Sequence, residues 1–132
     1  MRINEIICAE QITLSDTKKG EIIQDFIEFA RHKLHITIEA PIELSYDVED
    51  AQESHHTGSY NLGTEKVWIY VRDRNLVDIL RSISHELTHV KQNQDNRLHS
   101  SLPPGDKLEQ EADAVAGYLI KIYGAKHHEI YQ

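Results

Sequence analysis

Between positions 76 and 94 apolar residues recur at helical spacing (Leu76, Ile79, Leu80, Ile83, Leu87 and Val90), and within that stripe sits His85-Glu86-Leu87-Thr88-His89. The stripe predicts a helix, with Asn75 as its N-cap. Residues four apart on a helix differ by only about 40° around the axis. His85 and His89 therefore leave one face and can grip one cation, with Glu86 beside them. Two imidazoles on a metal, an open coordination position and an adjacent carboxylate form an arrangement for activating water. The fold is constrained as well. Two histidines do not complete such a site, so whichever element supplies the third ligand must pack against this helix.

A chain with nine histidines can meet the pentapeptide by chance, and the third ligand decides its meaning. Residues 106–123 predict a last helix, with Gly124 as a left-handed cap. Leu108, Ala112, Val115, Ala116, Leu119 and Tyr123 mark its buried arc, and Glu109 lies at the edge of that arc. A carboxylate there enters the core only if something offsets its desolvation, which a zinc ion would do. Asp113 shares a face with Glu109 and can accept the second N–H of a ligand histidine. Glu111 points about 160° away from Glu109. The competing reading makes all three acids a solvated stripe favoured by the helix dipole.

His85-Glu-Leu-Thr-His89, nineteen intervening residues and then Glu109-x-x-x-Asp113 resembles the gluzincin metallopeptidases. The resemblance implies zinc ligands His85, His89 and Glu109, Glu86 as general base, and Asp113 as support for a ligand histidine, His85. A wider stretch, from Gly58 through Trp68, Asn75-Leu76-x-Asp78-Ile79-Leu80-Arg81, Lys91-Gln92 and Glu111-Ala112 to Glu129-Ile130-Tyr131, is similar to small phage-encoded metallopeptidase-like proteins and minimal gluzincins. What this implies is a peptidase with one Zn2+ per chain and a peptide or protein substrate. The alternative is a zinc-containing binding or regulatory module with little turnover; a metal-free domain with a fortuitous motif is a third reading. A transition-state donor is still required. Tyr60, Tyr70, His55, His56 and His99 are candidates, whereas Tyr118 lies across its helix from Glu109.

Elsewhere the periodicity predicts an amphipathic helix over 21–34 after a loop at 16–20, and strand over 36–47 with a bulge or edge at Pro41. A long polar loop over 48–63 follows, with a short strand near 59–62. The strongest strand signal is 66–72, where Val67, Ile69 and Val71 alternate with Trp68 and Tyr70. As an edge beside the metal helix, this strand would bind substrate through Trp68 and Tyr70 by strand addition; as an ordinary core strand it would not. Ile3, Ile6 and Ile7 suggest a strand or a docked terminus, residues 95–105 a mobile loop, and the tail with His127 and His128 a disordered end or a cover for the site.

The expected fold is therefore α+β: one zincin-like domain over 1–132, a small, mostly antiparallel twisted sheet packed on the metal helix, an N-terminal helix, and a C-terminal helix carrying the third ligand. A net charge of −8 argues against nucleic acid and anionic membranes as partners. The single cysteine, Cys8, reads as a small core residue and permits no internal disulfide. With no apolar run near the roughly 20 residues of a membrane span and a start unlike a signal peptide, the expected product is a cytoplasmic monomer, in the host cytoplasm if phage-encoded.

Overall fold

The computed structural model describes residues 4–6, 14–54, 56–98 and 106–131. They run β1 (Asn4–Ile6), α1 (Leu14–Lys33), β2 (Ile42–Ser45), α2 (Val48–Ser54), β3 (Gly58–Asn61), β4 (Lys66–Tyr70), α3 (Leu76–Gln94), α4 (Asp106–Lys126) and a closing 3-10 helix (His128–Tyr131). This is a small α+β domain. Cys8, His55, His99 and residues 100–105 lie outside the described residues, and with them the expectations placed there. No helix among the described residues is long and apolar enough to cross a membrane.

The sheet has the order β1-β2-β4-β3. Its outer pairings are antiparallel, as expected, but β2 and β4 run parallel at its centre, so the sheet is mixed. The cause is local. β3 and β4 form a hairpin whose turn is held by Asn61 Oδ1, which accepts from the backbone N–H of Gly63 (2.8 Å) and Thr64 (3.1 Å). The hairpin docks by its second strand, which leaves β3 outside. Strand β4 is consequently interior. Its pairing groups serve β2 and β3, which rules out substrate addition along it and corrects the expectation of an edge at 66–71.

Val67 and Ile69 point into the core shared with α1 and α3, and Trp68 and Tyr70 occupy the opposite face, half-buried and stacked 6.5 Å apart. Helix α3 has the bounds its stripe predicts. Asn75 stands at its N-cap, but through its backbone carbonyl, which accepts from Asp78 and Ile79 N–H; the side chain makes no capping bond. Phe26, Leu80, Ile83, Leu87 and Leu119 are fully enclosed. An edge-to-face contact of Phe26 with Tyr123 joins α1 to α4, and the Tyr123 hydroxyl donates to Asp25 (2.7 Å).

Four local expectations change. Helix α1 begins at Leu14, not Glu21, and takes in the polar 16–20 stretch with a buried Gly20. A glycine interior to a helix costs about 1 kcal/mol against alanine, so packing rather than propensity sustains that turn. Residues 36–41 are irregular. In place of a neighbouring strand, the Gln94 side chain accepts from Thr37 N–H (2.6 Å) and Ile38 N–H (3.2 Å) and donates to His35 O (2.9 Å). The 48–63 segment contains α2, whose first turn is capped by Asp47 Oδ1 on Glu49 N–H.

Finally, α4 does not stop at Gly124. No glycine among the described residues has positive φ, and a Cβ at 124 would collide with the Tyr131 ring. Gly124 is small because the chain end packs on it. The tail is accordingly docked: Ile130 is buried, and the His127 ring stacks on Tyr123 at 4.0 Å.

Candidate metal centre

α3 and α4 pack side by side and bring three donor groups together. His85 Nε2 lies 3.0 Å from Glu109 Oε2, His89 Nε2 lies 3.0 Å from Glu109 Oε1, and the two Nε2 atoms are 3.1 Å apart. One ligand atom from each of His85, His89 and Glu109 falls within 4.8 Å of the others. The group could hold a metal ion.

The surroundings fix which ring nitrogens face that point. His85 Nδ1 is 2.8 Å from Asp113 Oδ1; a carboxylate only accepts, so Nδ1 carries the hydrogen. His89 Nδ1 is 2.8 Å from Gln92 Oε1. That amide cannot be turned round, because its Nε2 donates to Leu108 O (3.1 Å) and Glu111 Oε1 (3.1 Å), both acceptors. His89 Nδ1 is therefore also a donor. Both Nε2 lone pairs then converge on the two oxygens of Glu109, with no hydrogen among them. Four electron-rich atoms at about 3 Å repel unless a cation or an added proton lies between them. The donor set of two imidazoles and one carboxylate, with a side left open, suits a divalent transition metal.

Asp113 thus supports His85, the partner assigned to it. Gln92 is the support that the motif and its spacing do not name, though its position three residues after His89 places it on the same helix face. Glu111, turned away from Glu109, serves at one remove: it accepts two bonds from Arg97 (2.7 and 2.8 Å) besides the one from Gln92. The Arg97 guanidinium holds the Glu111 carboxyl below its ordinary range. A chain from Arg97 through Glu111 and Gln92 to His89 is the result.

Glu86 is buried beside the histidines. Burial pushes its carboxyl up to about 7; the positive character of His85 opposes this and Glu109 adds to it. Gly58 of β3 makes room for it, since a Cβ there would lie 3.4 Å from Glu86 Oε2 and 3.2 Å from Ile69 Cδ1. Glu86 and His85 open onto a cavity of about 520 Å3 whose wall includes His56, Thr57, Gly58, Arg74, Arg81 and Asp113.

Neither tyrosine suggested as a transition-state donor lines that cavity. Tyr70 projects from the far face of the sheet with Trp68, because strand alternation sends Ile69 towards α3, so both leave the site. The Tyr60 hydroxyl accepts from Asn93 Nδ2 (2.9 Å), one turn beyond His89, and burial raises its pKa. Donors on the cavity wall instead include His56, Arg74 and Arg81. Arg74 donates to Tyr70 O, Asp78 O and Ser82 Oγ.

No protein-family model, curated protein or solved structure matches the chain.

Proposed function

We propose that the protein is a zinc-dependent peptidase of gluzincin type, with a zincin-like fold, in which His85, His89 and Glu109 hold the ion. The observation that carries this reading is the imposed tautomer of both histidines, which turns two lone pairs and a carboxylate onto one point. Bound there, zinc would supply Lewis acidity towards a carbonyl and towards water.

Glu86 does the proton chemistry. It is buried and borders the cavity beside His85, where a carboxylate can accept a proton from attacking water and return it to a leaving nitrogen. The free edge of β3 supports an extended peptide. Thr57 O accepts from Tyr70 N–H, so by antiparallel alternation the Gly58 and Tyr60 backbone groups face outward, next to Glu86. Burial of Glu86 and His89 on the core side keeps bulk water from that flank.

The test has two parts. Zinc per chain, measured after purification and dialysis, should be close to one and fall on His85→Ala. Glu86→Gln should keep the zinc and lower peptide hydrolysis by roughly 10²–10⁴. Hydrolysis unchanged by Glu86→Gln would refute its role, and zinc retained without any turnover of peptide libraries would make the site a metal-stabilised binding module.

A further inference from the structure

A second groove lies between α3, α4 and the 3-10 helix. Its volume is about 700 Å3, and its walls include Arg81, Gly117, Lys121, Gly124, His128 and Tyr131. Arg81 belongs to both spaces: it also borders the cavity that His85 and Glu86 face. The chain carries 22 acidic and 14 basic residues, yet no acidic side chain is among those lining this groove. Arg81 and Lys121 are exposed, and among the described residues neither has an ion-pair partner.

Gly117 strengthens the reading. It sits in the interior of α4, where glycine is a poor choice. No packing demands it, since a Cβ at 117 would meet nothing within 4 Å. What its missing side chain does is leave the space between Arg81 and Lys121 open. Gly124, by contrast, has a packing reason in Tyr131.

We infer that Arg81 and Lys121 form an anion-binding subsite that receives a carboxylate of the peptide substrate, making the protein selective for acidic peptides. This rests on the peptidase reading. The spacing fits. Arg81 stands one helical turn before His85, and Lys121 two turns beyond Asp113, about 6 and 12 Å along their axes. At about 3.3 Å per extended residue, the recognised carboxylate lies two to four residues from the bond acted on. An aspartate or glutamate side chain and a free C-terminus both supply it. His128, whose Nε2–H is given to Ala125 O, and the Tyr131 ring wall the far end.

The experiment is a heteronuclear NMR titration of the full chain, without added metal, with blocked pentapeptides in matched glutamate and glutamine versions. Each is prepared as free acid and as amide. Glutamate peptides should bind roughly tenfold tighter than their glutamine twins, with shifts at 81, 117 and 121, and the preference should shrink with salt. If only the free acids gain, the C-terminus is the source; if the amides gain equally, the side chain is. Arg81→Gln with Lys121→Gln should abolish the preference, and Gly117→Leu, which fills the groove without changing charge, should do the same while the spectrum stays folded. Equal binding of all four peptides, a carboxylate preference that survives these variants, or tighter binding of a single-stranded oligonucleotide overturns the inference. Cleavage by zinc-loaded protein separates the two readings. A charge preference in binding without turnover sinks the peptidase and leaves the groove; turnover indifferent to charge sinks the groove and leaves the peptidase.

Discussion

Gln92 offers the sharpest test of the centre, because its amide orientation determines the tautomer of His89. It is fully buried, and both ends of its amide are engaged. Replacement by leucine keeps the volume and removes the acceptor for His89 Nδ1–H. Leaving that donor unpaired in a ring only 6% exposed would cost about 1–3 kcal/mol. The metal-free protein has an escape, however. The ring can move its hydrogen to Nε2 and donate it to Glu109 Oε1, 3.0 Å away. That escape protects stability and blocks the ligand atom, so a metal must first undo it. Gln92→Leu should therefore weaken zinc binding by about 10–100-fold, the usual effect of losing a support behind a ligand, or about 1.4–2.7 kcal/mol, while the metal-free protein loses less than a full orphaned donor would cost.

Competition against a chromophoric chelator measures the affinity. Imidazole nitrogen shifts identify the tautomer, with the hydrogen on Nδ1 in the unaltered protein and on Nε2 in the variant. Asp113→Leu is the contrast. Asp113 is 75% exposed, so water can take its place on His85, and the loss should stay under about fivefold. Unchanged zinc affinity in Gln92→Leu, or Nε2–H on His89 in the metal-free unaltered protein, would refute the reasoning.

Three further outcomes follow from single contacts. Burial raises the Glu86 carboxyl from 4.5 to about 7, so in metal-free protein its favourable contribution is full below pH 4.5 and is lost as pH rises through 7, where the unfolded chain ionises first. Denaturation of unaltered protein should lose up to about 3 kcal/mol across that window relative to Glu86→Gln. Gly124→Ala should cost about 1–3 kcal/mol by displacing Tyr131 and should cost less once Tyr131→Ala has cleared the space, whereas Gly117→Ala, with nothing to meet, should stabilise by up to about 1 kcal/mol; paired thermal melts decide both. Gln94→Ala removes the acceptor for Thr37 and Ile38 N–H, and amide exchange at those two positions should accelerate while that of β4 does not.

The parts of this fold legible in the sequence are those encoded within one element. The apolar stripe of α3 gave its limits, the four-residue spacings put His85 with His89 and Glu109 with Asp113, and alternation placed Val67 and Ile69 inward. What was lost lies between elements. Ile36 and Ile38 alternate with Thr37 and Glu39 as the start of a strand over 36–47, but the partner that meets residues 37 and 38 is the Gln94 side chain from the end of α3. Strand 66–70 was strong enough to identify and silent about its neighbours; its interior place depends on how the hairpin docks. Gly124 looked like a cap because a cap and a packing gap demand the same residue. Arg74 and Arg81 carry no local signal that β3 and α4 close a cavity around them.

The two histidines of the centre are supported unequally, and the inequality bears on how the site is reached. His89 is enclosed and depends on Gln92, itself held by Leu108 O and Glu111 and backed by Arg97. His85 leans on an exposed aspartate that water can replace. Glu109 sits between them, 44% exposed. Rigidity is therefore concentrated on the core side, with His89 and Glu86, and freedom on the α4 side, where Glu109 and Asp113 meet solvent. His85, Glu86 and Asp113 all line the cavity, so a ligand in it would meet the exposed aspartate and the buried carboxylate together. Arg81 lines both this cavity and the groove that Lys121 borders, so the two spaces meet at one side chain of α3.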